Sequence, residues 1–581
     1  MNRDDESYRS SWRLRLNQIK QLRARYGKED GKGYGAEEAT NPDGTIYAVS
    51  TAPGRAAIAI IRISGPECLP IYRQLCPENA APKPRQATVR TLYEPGSPKT
   101  SEYVLDSSAL VLYFPAPKTV TGEDILELHV HGGTAVVKAV LAAISRCEGA
   151  NGSTIRCAEP GEFTRRAFLN DRLDLTQVEA LGDVLSATTE QQRRLSVRGT
   201  SGTLAEKYEE WRQQLLYARG ELEALIDFSE DQHFDESISE LLQSVSAQVD
   251  VLKFALRSHR DNAVKGELLR NGISLALLGA PNAGKSSLLN RIVQREAAIV
   301  SEEAGTTRDV VEISIDLGGY LCRLGDTAGL RRHSAALADS RSGYHDIGAV
   351  EREGMKRAKA RAEETDVVIV VLDFKAASDG GAAVHFDDEV MDTATRLVRD
   401  GRSVLVVINK LDLATDERMV EIAVGNTLHT LPGLQRSQIH LLSCVETDLT
   451  PRTTSTAAIP EQHSVQSFLR GLIDTFETLT SATSPNGDQS DPSAWHESLG
   501  ATERHRLLLG DCIHELDLYT DLVSQNASEH DGDDGGDGDV VLAAEHLRSA
   551  ANALAKITGK GEAGDVEDVL GVVFEKFCVG K

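Results

Sequence analysis

The chain has 581 residues, long enough as a prior for roughly four domains. Its 88 Asp and Glu against 63 Lys and Arg give a formal net charge of −25, which excludes an overall basic nucleic-acid binder and leaves any RNA contact to a local patch. Eight cysteines without a C-x-x-C indicate neither a zinc knuckle nor a disulfide framework. No run of about 18 apolar residues offers a membrane span.

In chain order, residues 1–44 form an N-terminal extension. Tyr8 to Tyr26 carries basic residues and no acid, with Trp12, Leu16, Ile19 and Leu22 near helical spacing. The segment fits an amphipathic import presequence or a basic solvated helix. Asp4-Asp5-Glu6 just upstream argues against the presequence, because transit peptides are poor in acids. From Thr45 the pattern predicts strands over Ile46–Ser50, Ala57–Ile63, Ala109–Phe114 and Ile125–His131, and a helix over Thr134–Ser145. That is an α+β domain spanning 45–163. Arg62 and Glu127 stand as charges at the ends of apolar strands, which by themselves read as a surface ion pair.

After the turn Glu159-Pro160-Gly161-Glu162-Phe163, helical periodicity runs from Thr164 to about Gly266 and defines the first part of a helical domain, 164–267. A second helical part spans 461–581. The polar stretches Ser481 to Ser498 and Ser528 to Asp539 break it as loops too polar to bury surface. The acidic stretch lacks the spacing of a calcium loop. Between the helical parts, 268–460 alternates strand-like runs (273–278, 310–317, 320–325, 367–372, 403–408, 439–443) with helical or loop spans. This predicts a mostly parallel sheet wrapped by helices.

The motifs of this α/β region carry its chemistry. Gly279-Ala280-Pro281-Asn282-Ala283-Gly284-Lys285-Ser286 fits G-x-x-x-x-G-K-[ST] and lies between a strand and a helix. Such a loop aims backbone N–H groups and a helix dipole at one phosphate. Lys285 reaches the terminal phosphates, and the Ser286 hydroxyl is suited to Mg²⁺. Gly305-Thr306-Thr307-Arg308-Asp309 can supply a hydroxyl to Mg²⁺. In Asp326-Thr327-Ala328-Gly329, Asp326 can hold a metal-bound water and the Gly329 N–H can sense a γ-phosphate. Asn409-Lys410-Leu411-Asp412 selects guanine, because a carboxylate can accept from both N1–H and the 2-amino group. Four such segments in order predict a P-loop GTPase. Leu330 follows D-T-A-G and cannot orient the attacking water by hydrogen bonding, so another group or a cation must assist.

Asn282, the G-T-T-R-D loop, D-T-A-G-L and the terminal Phe577-Cys578-Val579-Gly580-Lys581 resemble the MnmE/TrmE family of tRNA uridine-modifying GTPases. So do Pro53-Gly54-Arg55, Arg62-Ile63-Ser64-Gly65, Thr121-Gly122-Glu123-Asp124 and Pro160-Gly161-Glu162-Phe163. The resemblance covers about 45–581. It implies an N-terminal folate-binding α+β domain that forms a homodimer, and a helical domain interrupted by a Ras-like P-loop GTPase domain. It further implies an FAD-dependent MnmG-like partner, a tetrahydrofolate derivative as one-carbon donor, and modification at C5 of the wobble uridine of certain tRNAs. A eukaryotic form would act in the mitochondrial matrix, a bacterial one in the cytoplasm.

By matching, the GTP contacts are Asn282, Ala283, Gly284, Lys285, Ser286, Ser287, Thr307, Asp326, Thr327, Ala328, Gly329, Asn409, Lys410 and Asp412. Ser286 and Thr307 fall at Mg²⁺ positions, and Asn282, Ser301, Glu303 and Thr306 at K⁺ positions. Arg62, Glu127, Arg172 and Lys581 become folate contacts, which displaces the surface-pair reading. Arg172 stands where the family usually has Lys, and Arg keeps the charge but not the point-donor geometry. Glu351, in Val350-Glu351-Arg352-Glu353-Gly354, matches the water-activating carboxylate. His345 marks the alternative register across an insertion. Two further stretches depart from the family or leave it silent. Ser443-Cys444-Val445 stands for the guanine-supporting S-A-K loop, and Arg504-His505-Arg506 reads as an RNA-facing patch or a solvated face. A regulatory GTP switch, such as a ribosome-assembly factor, is the competing class. It needs neither the N-terminal domain nor the terminal F-C-V-G-K.

Overall fold

The computed structural model describes residues 44–149, 153–228, 238–295, 298–302, 313–325, 347–376, 382–414, 416–444, 464–482, 497–529 and 536–560. It divides into two compact units after Arg172.

The first unit is a six-stranded sheet with helices. Its strands are β1 (Thr45–Val49), β2 (Ile58–Ser64), β3 (Thr88–Tyr93), β4 (Val104–Phe114), β5 (Ile125–His131) and β6 (Ile155–Cys157), in the order β3-β4-β5-β2-β1-β6. Alternation sets its faces: Ile61, Ile63, Leu126, Leu128 and Val111 point one way and are fully buried. They pack with Ile71, Tyr72 and Leu75 of α1 (Cys68–Leu75) and Val140 and Ile144 of α2 (Thr134–Ser145). The intervening positions, Arg62 and Glu127 among them, lie on the other face. Strands β3 and β6 carry no clean apolar alternation and were not legible in the sequence.

The second unit joins a helical bundle to an eight-stranded sheet. Helix α3 (Glu162–Leu169) belongs to the first unit, and the bundle begins with α4 (Leu175–Ser186). Asp174 and Gln177 cap α4 reciprocally, each side chain accepting from the other's backbone N–H at 3.0 and 3.1 Å. Then follow α5 (Glu190–Gly199), α6 (Thr203–Phe228) and α7 (Ile238–Asn271). Breaks at residues 170–174, 187–189 and 200–202 divide what periodicity alone reads as a nearly continuous helical run. Tyr208, Trp211, Leu215, Leu222, Val249 and Leu256 from these helices form one core with Leu516, Tyr519, Leu547 and Leu554 from the far end of the chain.

In the sheet, β7 (Ile273–Gly279), β10 (Tyr320–Leu324), β11 (Val367–Ala376), β13 (Ser403–Asn409) and β14 (Ile439–Leu441) are parallel. Strands β8 (Ala298–Glu302) and β9 (Ile313–Leu317) add an antiparallel edge, and β12 (Ala382–His385) folds back on β11. The order is β14-β13-β11-β7-β10-β9-β8. Helix α8 (Lys285–Arg295) covers one face. On the other lie α9 (Ile347–Glu364), α10 (Asp388–Arg399) and α11 (Glu417–Thr430). In β11, Val367, Ile369 and Val371 belong to one core and Val368, Val370 and Leu372 to the other. Burial on both faces is why its sequence is a continuous apolar run rather than an alternation. Helix α12 (Val465–Thr480), which the sequence groups with the second helical part, inserts Phe468, Leu469, Leu472 and Phe476 into the α8-side core of the sheet.

Arg270, in the last turn of α7 just before β7, is tied back into the bundle. Its guanidinium donates to Asp183 Oδ2 at 2.5 Å and to the Gly500 and Ala501 carbonyls at 2.8 and 3.0 Å. Its own carbonyl accepts from Gln192 Nε2 at 2.8 Å. Nearby, α7 crosses the turn Ser498–Gly500 so closely that a Cβ on Gly266 would stand 1.9 Å from the Leu499 carbonyl oxygen.

Helix α13 (Glu503–Glu529) carries Arg504-His505-Arg506, and α14 (Gly536–Thr558) follows it. The expected loop over Ser528 to Asp539 is therefore shorter, since both of its ends are helical. Arg504 and His505 are not surface groups. The Arg504 side chain donates to Glu179 at 2.7 Å and to the Lys556 and Ile557 carbonyls at 3.0 and 2.9 Å, where a cation complements the end of α14. His505 is buried, accepts from the Thr502 N–H through Nδ1 at 3.2 Å and places Nε2 2.7 Å from Glu179. Glu179 on α4 is thus the clasp between the two sequence stretches of the bundle. Only Arg506 lies toward solvent, paired with Glu503.

Burial alone would raise the Glu179 carboxyl. The hydrogen bond from His505 and the charge and hydrogen bond of Arg504 outweigh it and hold the group below the usual carboxylate range. A depressed carboxyl contributes its full stability above its unfolded value of about 4.3 and loses it as pH falls below that. Burial also lowers His505, whose protonation in the unfolded chain adds to the same acid lability. Glu179→Ala should therefore lower the unfolding free energy by about 3 kcal/mol at pH 7, as expected for one half of a buried pair left alone. The loss should shrink as pH falls from 5 toward 3. Denaturant titration followed by tryptophan fluorescence checks both, and a pH-independent effect would contradict the clasp.

Candidate nucleotide site

The sheet reverses its winding at β7: the chain goes to β10 on one side and returns to β11 on the other. Ligands of such sheets sit at the carboxyl ends of the strands beside this switch. The loop leaving β7 is shaped by two left-handed residues, Asn282 at φ +63° and Gly284 at φ +100°. A side chain at Gly284 is excluded twice over, by that backbone angle and because a Cβ would lie 2.0 Å from Asn409 Nδ2. Lys285 opens α8 and donates through Nζ to the Gly279 and Ala280 carbonyls at 2.7 and 2.8 Å. Ser286 and Ser287 follow in the first turn, where the helix N-terminus favours an anion.

Asn409 ends β13 beside this loop. Its Nδ2 donates to the Ala283 carbonyl at 2.9 Å, and its Oδ1 accepts from the Cys444 N–H at 3.2 Å. One amide side chain therefore ties the phosphate loop to the Ser443-Cys444 loop. Lys410, left-handed at φ +60°, starts the turn Leu411–Leu413 and pairs through Nζ with Asp373 Oδ2 at 2.6 Å. Asp412 Oδ1 accepts from Ser443 Oγ at 2.5 Å. Arg291 of α8 donates to the Cys444 carbonyl at 3.1 and 3.2 Å. The short Ser443-Cys444 stretch thus braces the site through Ser443 Oγ and the backbone of Cys444. Neither bond depends on the residue types of the family's S-A-K loop beyond serine. Asp373 and Arg291 were missed in the sequence. The only signal for Asp373 is an acid closing an apolar strand, and Arg291 has none.

Of the other sequence-derived positions, Glu351 lies on α9 and Ser301 on β8. Strand β10 ends at Leu324, two residues short of Asp326, and pairs in parallel with β7. Glu303, Thr306, Thr307, Asp326, Thr327, Ala328, Gly329, Leu330, His345, Lys581 and the import-like segment 8–26 lie outside the described residues.

In the first unit, Arg62 and Glu127 are not at strand ends. They face each other in register across β2 and β5, with Arg62 Nε and Nη2 both on Glu127 Oε1 at 3.0 and 2.9 Å. The pair is half-buried. The Arg62 guanidinium stands 6.0 Å from the Phe163 ring centroid, and His129 Nε2 is 3.4 Å from Glu127 Oε2. Thr121-Gly122-Glu123-Asp124 forms the adjoining turn. Arg166, buried, bridges Glu123 and Glu162 at 3.0 and 3.1 Å. Arg172 donates from Nε to the Thr119 carbonyl at 3.0 Å, using the directional guanidinium in place of a point charge. The nucleotide-site residues suit a purine nucleotide.

Comparison with known proteins covers both units. Residues 45–172 match the family described as the GTP-binding protein TrmE N-terminus, and 175–578 match the MnmE helical domain. The chain is 38% identical to the tRNA modification GTPase MnmE of Parvibaculum lavamentivorans, over 92% of its own length and 100% of that protein's. It is 35% identical to the mitochondrial tRNA modification GTPase mss1 of Schizosaccharomyces pombe, over 92% and 95% of the two chains. It is also 35% identical to the human protein named 5-taurinomethyluridine-[tRNA] synthase subunit GTPB3, mitochondrial, over 92% and 93%. Among the described residues no helix is long and apolar enough to cross a membrane. With a phosphate loop locked to a guanine-type loop, and with these matches over both of its units, the chain belongs to the MnmE/TrmE family of tRNA modification GTPases.

Proposed function

We propose that this GTPase hydrolyses GTP in a K⁺-dependent manner and, with an FAD-dependent MnmG-like partner and a tetrahydrofolate-derived one-carbon donor, modifies C5 of the wobble uridine of certain tRNAs. The observation that carries the nucleotide half is Asn409, whose amide joins the phosphate loop to the loop that would recognise guanine. The modification half rests on the N-terminal unit matching the TrmE family, and on relatives named as tRNA-modifying or as a synthase subunit, which implies a second component. The eukaryotic relatives are named mitochondrial, so the proposed compartment is the mitochondrial matrix.

The donor sets fit the ions. Ser286 in the first turn of α8 offers a hard hydroxyl for Mg²⁺, with Thr307 as its counterpart. Asn282, Ser301, Glu303 through its backbone, and Thr306 are the proposed K⁺ ligands, each able to offer oxygen, and Asn282 has the left-handed backbone of a tight turn in the phosphate loop. A cation there would supply positive charge to the developing phosphate charge, which Leu330 cannot do. Glu351 is the proposed residue that orients the attacking water. Arg62, Glu127, Arg172 and Lys581 are the proposed folate contacts. The half-buried Arg62–Glu127 pair beside Phe163 suits a flat polar heterocycle. A homodimer through the N-terminal unit completes the proposal.

Two outcomes are expected. GTP hydrolysis by the full chain should be much faster in K⁺ than in Na⁺, and Glu351→Ala should cut kcat by about 100-fold or more while GTP affinity survives. Equal rates in the two salts, or a His345→Ala variant that is dead while Glu351→Ala is active, would remove the assigned roles. Nucleoside mass spectrometry of mitochondrial tRNA from cells lacking this chain should show loss of a C5 substituent on wobble uridine. Intact tRNA with defective ribosomes would support a regulatory switch instead.

A further inference from the structure

Strand β11 carries an unbroken apolar run from Val367 to Leu372. At the last position paired in parallel with β13, opposite Asn409, it then carries Asp373. The Asp373 side chain is 1% exposed. Oδ2 accepts from Lys410 Nζ at 2.6 Å, and Oδ1 has no hydrogen-bond partner among the described residues. The fold has no need of such a group. A buried carboxylate with one idle oxygen is unfavourable, and an apolar side chain would finish the strand as well or better.

What the carboxylate holds is the turn that delivers Asp412. Lys410 has φ +60° and ψ +39°, a conformation that a long non-glycine side chain occupies only under constraint. Its carbonyl accepts from the Leu413 N–H at 3.0 Å, and the next N–H, of Leu411, donates to the Leu442 carbonyl at 3.2 Å. Asp412 lies inside this turn. Each polar side chain of the motif therefore has an anchor outside it: Ala283 and Cys444 for Asn409, Ser443 for Asp412, and Asp373 for Lys410. The first two anchors sit on the loops of the site itself, whereas Asp373 comes from a strand with no motif.

We propose that Asp373 is a positioning residue for guanine recognition. It clamps the Lys410 ammonium, holds the left-handed turn in place, and so presents the Asp412 carboxylate in a fixed pose before the base arrives. Preorganisation of this kind acts on nucleotide affinity and not on the chemical step. The assignment rests on the reading of Asn409-Lys410-Leu411-Asp412 as the guanine-binding segment.

The test uses the full chain, a fluorescent GDP analogue, and competition by unlabelled GDP and XDP. Asp373→Asn, nearly isosteric but neutral, should weaken GDP about 10-fold or more, the lower end for one lost charge-assisted hydrogen bond. It should raise KM for GTP by a similar factor, with little change in kcat. On a Lys410→Met background the same substitution should add less than about twofold, because the clamp then has nothing to hold. If Asp373→Asn does not fold, the Asp373→Leu/Lys410→Met double variant removes the buried pair whole and should bind GDP as Lys410→Met does. Wild-type GDP affinity in Asp373→Asn, full additivity with Lys410→Met, or a fall confined to kcat would each overturn the assignment. Asp412→Asn separates the two levels. A switch of preference from GDP to XDP supports the guanine reading and leaves Asp373 to stand or fall on its own variants. No switch removes the reading and the assignment together.

Discussion

The amide of Asn409 is the interaction on which the rest of the nucleotide site depends. It is buried at the end of β13, gives its N–H to the loop after β7 and takes one from the loop after β14. A serine or alanine could not span both, and an aspartate would offer no donor to Ala283. Gly284 is required for the same reason, since any side chain there would occupy the space of this amide. The β7 loop is thus constrained by a residue far away in sequence, and the sheet makes the meeting possible. Strands β13, β11 and β7 are neighbours in parallel register, so their carboxyl ends arrive at one edge together.

The sheet is joined to the bundle through the end of α7, where Leu268 and Leu269 pack against the sheet core. Arg270, just before β7, fixes the end of α7 to Asp183 and to the turn at Gly500 and Ala501. On the other side, the β9–β10 turn touches α5, where the Gln191 N–H donates to the Gly319 carbonyl at 3.1 Å. In sequence, β10 precedes Asp326-Thr327-Ala328-Gly329 with one residue between. One closure of the bundle is Glu179, which meets Arg504 and His505 of α13, from the stretch that follows the sheet in sequence. A helical domain split by an insertion needs such a clasp, because its two halves are covalently joined only through the sheet.

Much of this was legible in the sequence, for identifiable reasons. The central strands announced themselves because burial on both faces demands continuous apolar runs, as Val367 to Leu372 shows. The glycine loop and Asn409-Lys410-Leu411-Asp412 were legible because their backbone geometry and chemistry tolerate few residue types. The short edge strands β6, β8 and β12 were not, since three to five residues carry too little periodicity to register. Arg504-His505-Arg506 read as a basic surface because local sequence cannot show that Glu179, more than three hundred residues earlier, neutralises it. Arg62 and Glu127 were read as an ion pair, and they are one, but within the strands and half-buried rather than at exposed strand ends. That placement follows from strand register, which the sequence does not display.

Hydrogen–deuterium exchange of the full chain with and without GDP tests the central claim most directly, namely that separate loops are braced into one guanine-nucleotide site. GDP should slow exchange together in residues 280–287, 409–413 and 443–444, with ADP leaving all three unchanged. In Asn409→Ala the concerted protection should break up. Protection confined to the β7 loop, or equal protection by GDP and ADP, would contradict the account.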